Sequence, residues 1–558
     1  MNLIRSLMVW LLLAAVALPQ ASAQQGRIVA ALNRLTWGIE PGQVQAVERI
    51  GLQRWIEQQL HPQSIPENPQ LTALLRPLAT LRETPSQIIA AYPPPQALQQ
   101  MAQGRRPLPR DPLLHQIVQR EIGQFQHPTA AHKPALAATA PRTAAAAFMA
   151  LPARVRQQQA LALAPAEANR MAPWLPLAEA RQLIYDQRPQ QVPAFDLTSA
   201  KVLRAVYSNR QLQDVLTDFW FNHFNVYIRK GNDSELIASY LRAAIRPHVL
   251  GKFRDLLVAT AETPAMMFYL DNWQSVDPGV NKRGINENYG RELMELQTLG
   301  VNGGYTQQDV IAVAHCFTGW TIRQPGRLAE FYYNDRLHDH APKVVLGVTI
   351  PAGGGMSDGL QVLAMLARSP ATARHVSFEL AQRFVADNPP PELVARMTTT
   401  WLQSDGDLRK VMETLLNSPE FWQAAAGRGK MKSPLQVVVS SVRALGAEVT
   451  NPLALSRAIA NMGEPLYAKE PPTGYSNDGA QWLSTSGLVA RMQFATRLAA
   501  NQIPGVQVDL NTLGSDAEFA QSILQQTPNP AVASGLRDAK NRRQLAALLL
   551  GSPEFQKR

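Results

Sequence analysis

The chain has 558 residues, of which 46% are hydrophobic and 17% charged, and its 54 Lys and Arg against 43 Asp and Glu give a formal charge of +11. That length supports a large core and ordinarily divides into two or more domains, although helical arrays stay continuous at this size. The single cysteine, Cys316, excludes an internal disulfide and a multi-cysteine zinc site, and no alternation of aromatic and basic residues marks a nucleic-acid module.

In chain order, Arg5 precedes the apolar run from Leu7 to Leu18, and Ala21-Ser22-Ala23 supplies the small residues of a cleavage site. Residues 1–23 are therefore predicted to be a secretory signal peptide cut before Gln24, which places the mature chain in the periplasm or outside the cell. Without Arg5 the charge falls from +11 to +10, and for an exported protein this balance points to anionic envelope polymers or lipid head groups rather than nucleic acid. No later stretch is apolar enough to be predicted as a transmembrane segment.

Residues 24–91 are predicted as an N-terminal helical segment, with two helices between Ala31 and Leu60 separated at Pro41-Gly42. Residues 92–200 form a Pro/Ala/Gln-rich insertion with short helices, part of which reads as linker. Residues 201–446 form a motif-rich helical core. Within it Ser208 and Gln211 suggest a capping box before the apolar face Leu212, Val215, Leu216, Phe219 and Trp220. Phe331-Tyr332-Tyr333 and Lys343 to Ile350 are predicted to pair as a small hairpin. Residues 447–558 complete the chain as a C-terminal helical segment. There Asn541 to Phe555 echoes Asp407 to Phe421, each ending in Ser-Pro-Glu-Phe. The fold class is thus mainly α, a multi-helix array of packed helical hairpins with a small inserted β-hairpin.

Three places carry chemistry. His223 continues the aromatic face of its helix, where a lone imidazole is most often a hydrogen-bonded core residue. Glu292 and Glu295 fall on the same helical stripe as Ile285, Leu296 and Leu299, so two carboxylates point with the apolar side chains. Burying them requires a shared proton, Arg or His partners such as Arg291 or Arg246, or a bound cation. His338-Asp339-His340 forms a polar turn suited to metal ligation or proton relay, whereas His315 lies off the apolar stripe of its helix and is left outside the site. The catalytic group expected from this pattern is Glu292, Glu295, His223 and Asp339, and the set expected to hold a divalent metal ion is Glu292, Glu295, His223 and His338. His223 is expected to approach one of the two glutamates, with the loop of His338 and Asp339 covering the same pocket. No serine-hydrolase elbow, phosphate-binding glycine loop or His-Glu-x-x-His helix is present.

The segments Leu32 to Gly38, Asp218 to Val226, Arg246 to Phe253, Pro264 to Ser275, Asn286 to Gly304, Phe317 to Trp320, His338-Asp339 and Pro370 to His375 together resemble the bacterial family called domain of unknown function 1800. The resemblance implies an exported protein, often encoded beside an exported protein of the alkaline-phosphatase or sulfatase-like type, which makes that class a candidate partner. Two positions depart from the family pattern: Gln297 stands where His is usual, and His315 where Arg is usual. Two functions remain open on this reading. One is a metal-dependent extracytoplasmic enzyme, hydrolytic in type, acting on an envelope polymer or a phosphate- or sulfate-bearing substrate. The other is a non-catalytic envelope scaffold or binding partner of another exported protein.

Overall fold

Prolines start many of the helices, because a proline at the first helical position loses no intrahelical hydrogen bond and brings a helical φ. Thr84-Pro85, Thr263-Pro264, Ser369-Pro370, Ser418-Pro419, Ser433-Pro434 and Asn529-Pro530 all follow this design. In each the capping side chain accepts a hydrogen bond from a backbone N–H of the first turn. The same logic gives the Pro-rich insertion its helices Pro95–Ala102, Pro112–Gln126 and Pro141–Met149. The computed structural model describes residues 24–126, 140–280, 283–526 and 528–558; the signal peptide read at 1–23 lies outside them.

The result is a predominantly α-helical array with small antiparallel hairpins. Most of the buried apolar residues join one cluster that runs from Ile28 to Phe555, while Leu98, Met101, Leu114 and Val118 of the insertion make a small separate one. Helices stack in series: Pro370–Phe384 packs on Pro391–Ser404, which packs on Leu408–Leu416, and Thr485–Ala499 packs on Arg542–Gly551. Among the described residues no helix is long and apolar enough to cross a membrane. The two Ser-Pro-Glu-Phe segments share their local bonds. Ser418 Oγ donates to Leu415 O and accepts from Phe421 N, while Ser552 Oγ donates to Leu549 O and accepts from Phe555 N.

Four local expectations are corrected. The second N-terminal helix is broken into Gln43–Ile50 and Leu52–Leu60, because Gly51 adopts a φ of 86° that ends one helix and begins the next. Ser208 and Gln211 do not form a capping box: Gln211 turns its amide back to Ser208 O and Ala205 O, and Ser208 Oγ donates to Glu67. Phe331 to Tyr333 does not pair with Lys343 to Ile350. Instead Trp320–Arg323 pairs with Glu330–Tyr333, and Lys343–Val345 pairs with Val348–Ile350. The second hairpin closes through Leu346-Gly347, both with positive φ (50° and 77°), as a tight two-residue turn demands. The helix bearing the glutamate pair spans only Asn288–Glu295, so the helical projection to Leu299 fails. Leu293 and Met294 form its buried face, with Glu292 and Glu295 half-buried at the edge.

Candidate functional site

The helix Gln211–His223 carries one wholly buried face of Leu212, Leu216, Phe219 and Trp220, and His223 ends it. The imidazole sits edge-on to Trp220 and Phe224, with ring centroids 5.3 and 4.6 Å away. Its two nitrogens leave this aromatic wall in opposite directions. Nδ1 lies 2.6 Å from Glu379 Oε2, and Nε2 lies 3.0 Å from the main-chain oxygen of Gln297. Both ring nitrogens are thus engaged by oxygen atoms of the protein itself.

His375, one turn before Glu379 on the helix Pro370–Phe384, repeats the arrangement. Its Nε2 is 3.8 Å from Glu379 Oε1 and 3.2 Å from Leu296 O. Leu296 and Gln297 directly follow the helix Asn288–Glu295, where carbonyls have no partner within the helix and the dipole favours positive charge. Two imidazoles thus close this helix end, with Glu379 between them as counter-charge. Burial acts to raise the Glu379 carboxyl, but the charge and hydrogen bond of His223, with help from His375, outweigh it and hold the group below its ordinary value.

The glutamates picked out in the sequence take no hydrogen bond from His223. Glu295 accepts from the Tyr305 hydroxyl at 3.3 Å, and Arg291 pairs with Glu287 rather than with either of them. The Glu292 carboxyl is raised by burial and then by the charge of Glu295, partly offset by Arg291. The direct carboxylate bond of His223 goes to Glu379 and not to Glu292 or Glu295. The other ring nitrogen, Nε2, bonds to the main-chain oxygen of Gln297, so that contact does not depend on which side chain stands at position 297. The Gln297 amide rests 3.6 Å from Met266 Sδ.

The hairpin loop is a second clasp. His338, 1% exposed, places Nδ1 2.8 Å from Thr318 O and Nε2 3.3 Å from Asp358 Oδ2, and Lys343 Nζ meets the same carboxylate oxygen at 2.8 Å. Asp339 faces His315 Nδ1 at 2.6 Å and accepts from Ala341 N. Burial raises the Asp339 carboxyl, yet the Ala341 N–H, Lys343 and His315 together hold it below the ordinary value. His315, left out of the site on periodicity, therefore belongs to this loop cluster. Lying off the apolar stripe is what frees it to face a carboxylate from another element. Among the described residues no three His, Cys, Asp or Glu side chains gather into a group able to hold a metal ion, so the expected metal set is not brought together as one.

Reinforced helix ends, clasped hairpins and a continuous apolar core define a helical-array protein whose most conspicuous polar residues bind one element to another. The chain belongs to the family described as Protein of unknown function (DUF1800), which it matches over residues 30–557. No curated protein and no solved structure matches it.

Proposed function

We propose that the chain is an exported, non-catalytic scaffold that docks another exported protein of the envelope. The observation that carries this reading is an exposed apolar face on the helix Thr485–Ala499. Leu488, Val489 and Met492 lie on it at one-turn spacing, and Val489 is 51% exposed. Beside them Leu548 is also exposed, and it shares with Met492 a cavity of about 570 Å³ lined largely by apolar side chains. A partner presenting its own apolar face buries this surface on docking, and the family resemblance favours an exported alkaline-phosphatase or sulfatase-like protein for that role. The engagement of His223, His338 and Asp339 in internal bonds also supports a structural reading of those side chains.

A second reading, metal-dependent hydrolysis, draws on Glu292, which is half-buried and has a raised carboxyl. One experiment separates the two. Tagged wild-type chain, Val489→Asp/Met492→Asp and Glu292→Ala are purified from the envelope fraction without chelator, then assayed for a stoichiometric partner and for bound divalent metal. The scaffold reading expects a partner that the apolar-face variant loses, with its fold unchanged by circular dichroism, and that Glu292→Ala keeps. Stoichiometric metal in the wild type that Glu292→Ala loses, with no partner retained, overturns it in favour of the hydrolase.

A further inference from the structure

The face of Gln211–His223 opposite the aromatic wall opens onto a cavity of about 600 Å³, a size suited to a small organic molecule. Asp214, Thr217, Asp218 and Phe221 line it at positions that recur along one side of the helix. Lys201 and Arg204 enter from the last two turns of Val192–Tyr207. A third wall comes from the helix Asp233–Tyr240 and its continuation Leu241–Ile245, a five-residue π-helical stretch in which Arg246 N bonds to Leu241 O. This widened turn contributes Leu241, Arg242 and Arg246 to the lining, and such insertions recur at functional sites.

The charges of this cavity do not balance. Six cations line it, Arg82, Lys201, Arg204, Arg210, Arg242 and Arg246, against the two carboxylates Asp214 and Asp218. Both carboxylates are taken: Arg246 meets Asp214 at 2.5 Å, and Asp218 is shared by Lys201 at 2.6 Å and Arg383 at 3.3 Å. Arg82, Arg210 and Arg242 donate to main-chain oxygens at the rim. Arg204 differs. Among the described residues no carboxylate faces it in an ion pair and no oxygen accepts a hydrogen bond from it. Burial and the neighbouring Arg246 charge pull its guanidinium below the ordinary value, with only partial relief from Asp214, Glu67 and Tyr467. An arginine held half-buried beside a second arginine and without a protein carboxylate of its own is costly, and an anionic ligand offsets that cost. The remaining walls are mostly apolar, with Leu75, Leu81, Leu197 and Phe221 among them.

We propose that this cavity binds a small organic anion, with its carboxylate or phosphate on Arg204 beside Arg246 and its apolar body against the leucines and Phe221. The site shares no residue with the apolar docking face, so it stands or falls separately from the scaffold reading. Isothermal titration of the full mature chain with octanoate, octyl phosphate, octanol and acetate tests it. One of the two anionic amphiphiles binds, the tighter of them identifying the head group, while octanol and acetate bind about tenfold or more weaker. Arg204→Gln weakens the anion about tenfold and leaves octanol unchanged, and Arg204→Lys recovers part of the loss. With wild-type protein alone, raising salt to about 0.5 M weakens the anion but not octanol, which keeps the test decisive should Arg204→Gln misfold. Octanol binding as tightly as the better of the two anionic amphiphiles, no binding of either of them, or an affinity insensitive to both Arg204→Gln and salt overturns the proposal.

Discussion

Replacing Glu235 with glutamine is expected to stabilise the protein by about 3 kcal/mol at pH 7, and by more at higher pH. Glu235 is fully buried in the helix Asp233–Tyr240, and burial pushes its carboxyl from 4.5 up to about 8, against small opposing contributions from Ser234 and its own N–H. Asp233, equally buried and with no hydrogen bond to its carboxyl oxygens, is raised in the same direction, by burial first and then by the charge of Glu235. A folded value above the unfolded one means that the favourable state is the protonated one. The stability associated with it is fully present below about pH 4.5 and is lost as pH rises toward 8, where the folded state must ionise a buried acid. Glutamine keeps the shape and removes the titration. Urea midpoints measured from pH 4 upward are expected to agree for the two proteins at the acid end and to separate steadily until about pH 8. Parallel curves across this range would show that Glu235 ionises in the folded protein as it does in solution.

Asp358→Ala is expected to have a large effect of the opposite sign, a loss of about 3–5 kcal/mol, because it leaves Lys343 and His338 buried without their shared carboxylate. Lys343 opens the hairpin strand Lys343–Val345 and Asp358 lies in the first turn of Met356–Arg368, so their bond fixes the hairpin to that helix. Removing both charges together, as Asp358→Leu with Lys343→Met, is expected to restore much of the loss, since the buried cation then disappears with its partner. Denaturant midpoints of the single and double variants make the comparison. A single variant as stable as the wild type would mean that the loop does not depend on this pair.

The helical class and the buried face ending at His223 were legible because apolar spacing and an aromatic run are local signals. The partner of His223 was not. Glu379 lies 156 residues further along the chain, and nothing in its own surroundings distinguishes it from a solvated glutamate on an amphipathic helix. For a related reason periodicity carries the helix of the glutamate pair past Glu295, whereas it stops there and the following main-chain carbonyls become acceptors for His223 and His375. The hairpin pairing is hidden in the sequence because the turn falls at Leu346-Gly347, where a leucine takes the left-handed conformation normally left to Gly or Asn. Arg204 gave no sequence signal at all. An arginine near a helix end reads as solvated until the fold shows that its neighbours are already paired.

The histidines and carboxylates of catalytic appearance hold elements of the fold together. A double-mutant cycle on His223 and Glu379, measured by urea unfolding of the wild type, His223→Ala, Glu379→Ala and the double variant, tests it most directly. Each single substitution is expected to cost about 2–3 kcal/mol, with the double costing less than the sum by about 1 kcal/mol or more, because the second removal breaks a bond that the first has already lost. Wild-type stability in His223→Ala, or strict additivity in the double variant, would contradict the claim and return His223 to the list of candidate catalytic groups.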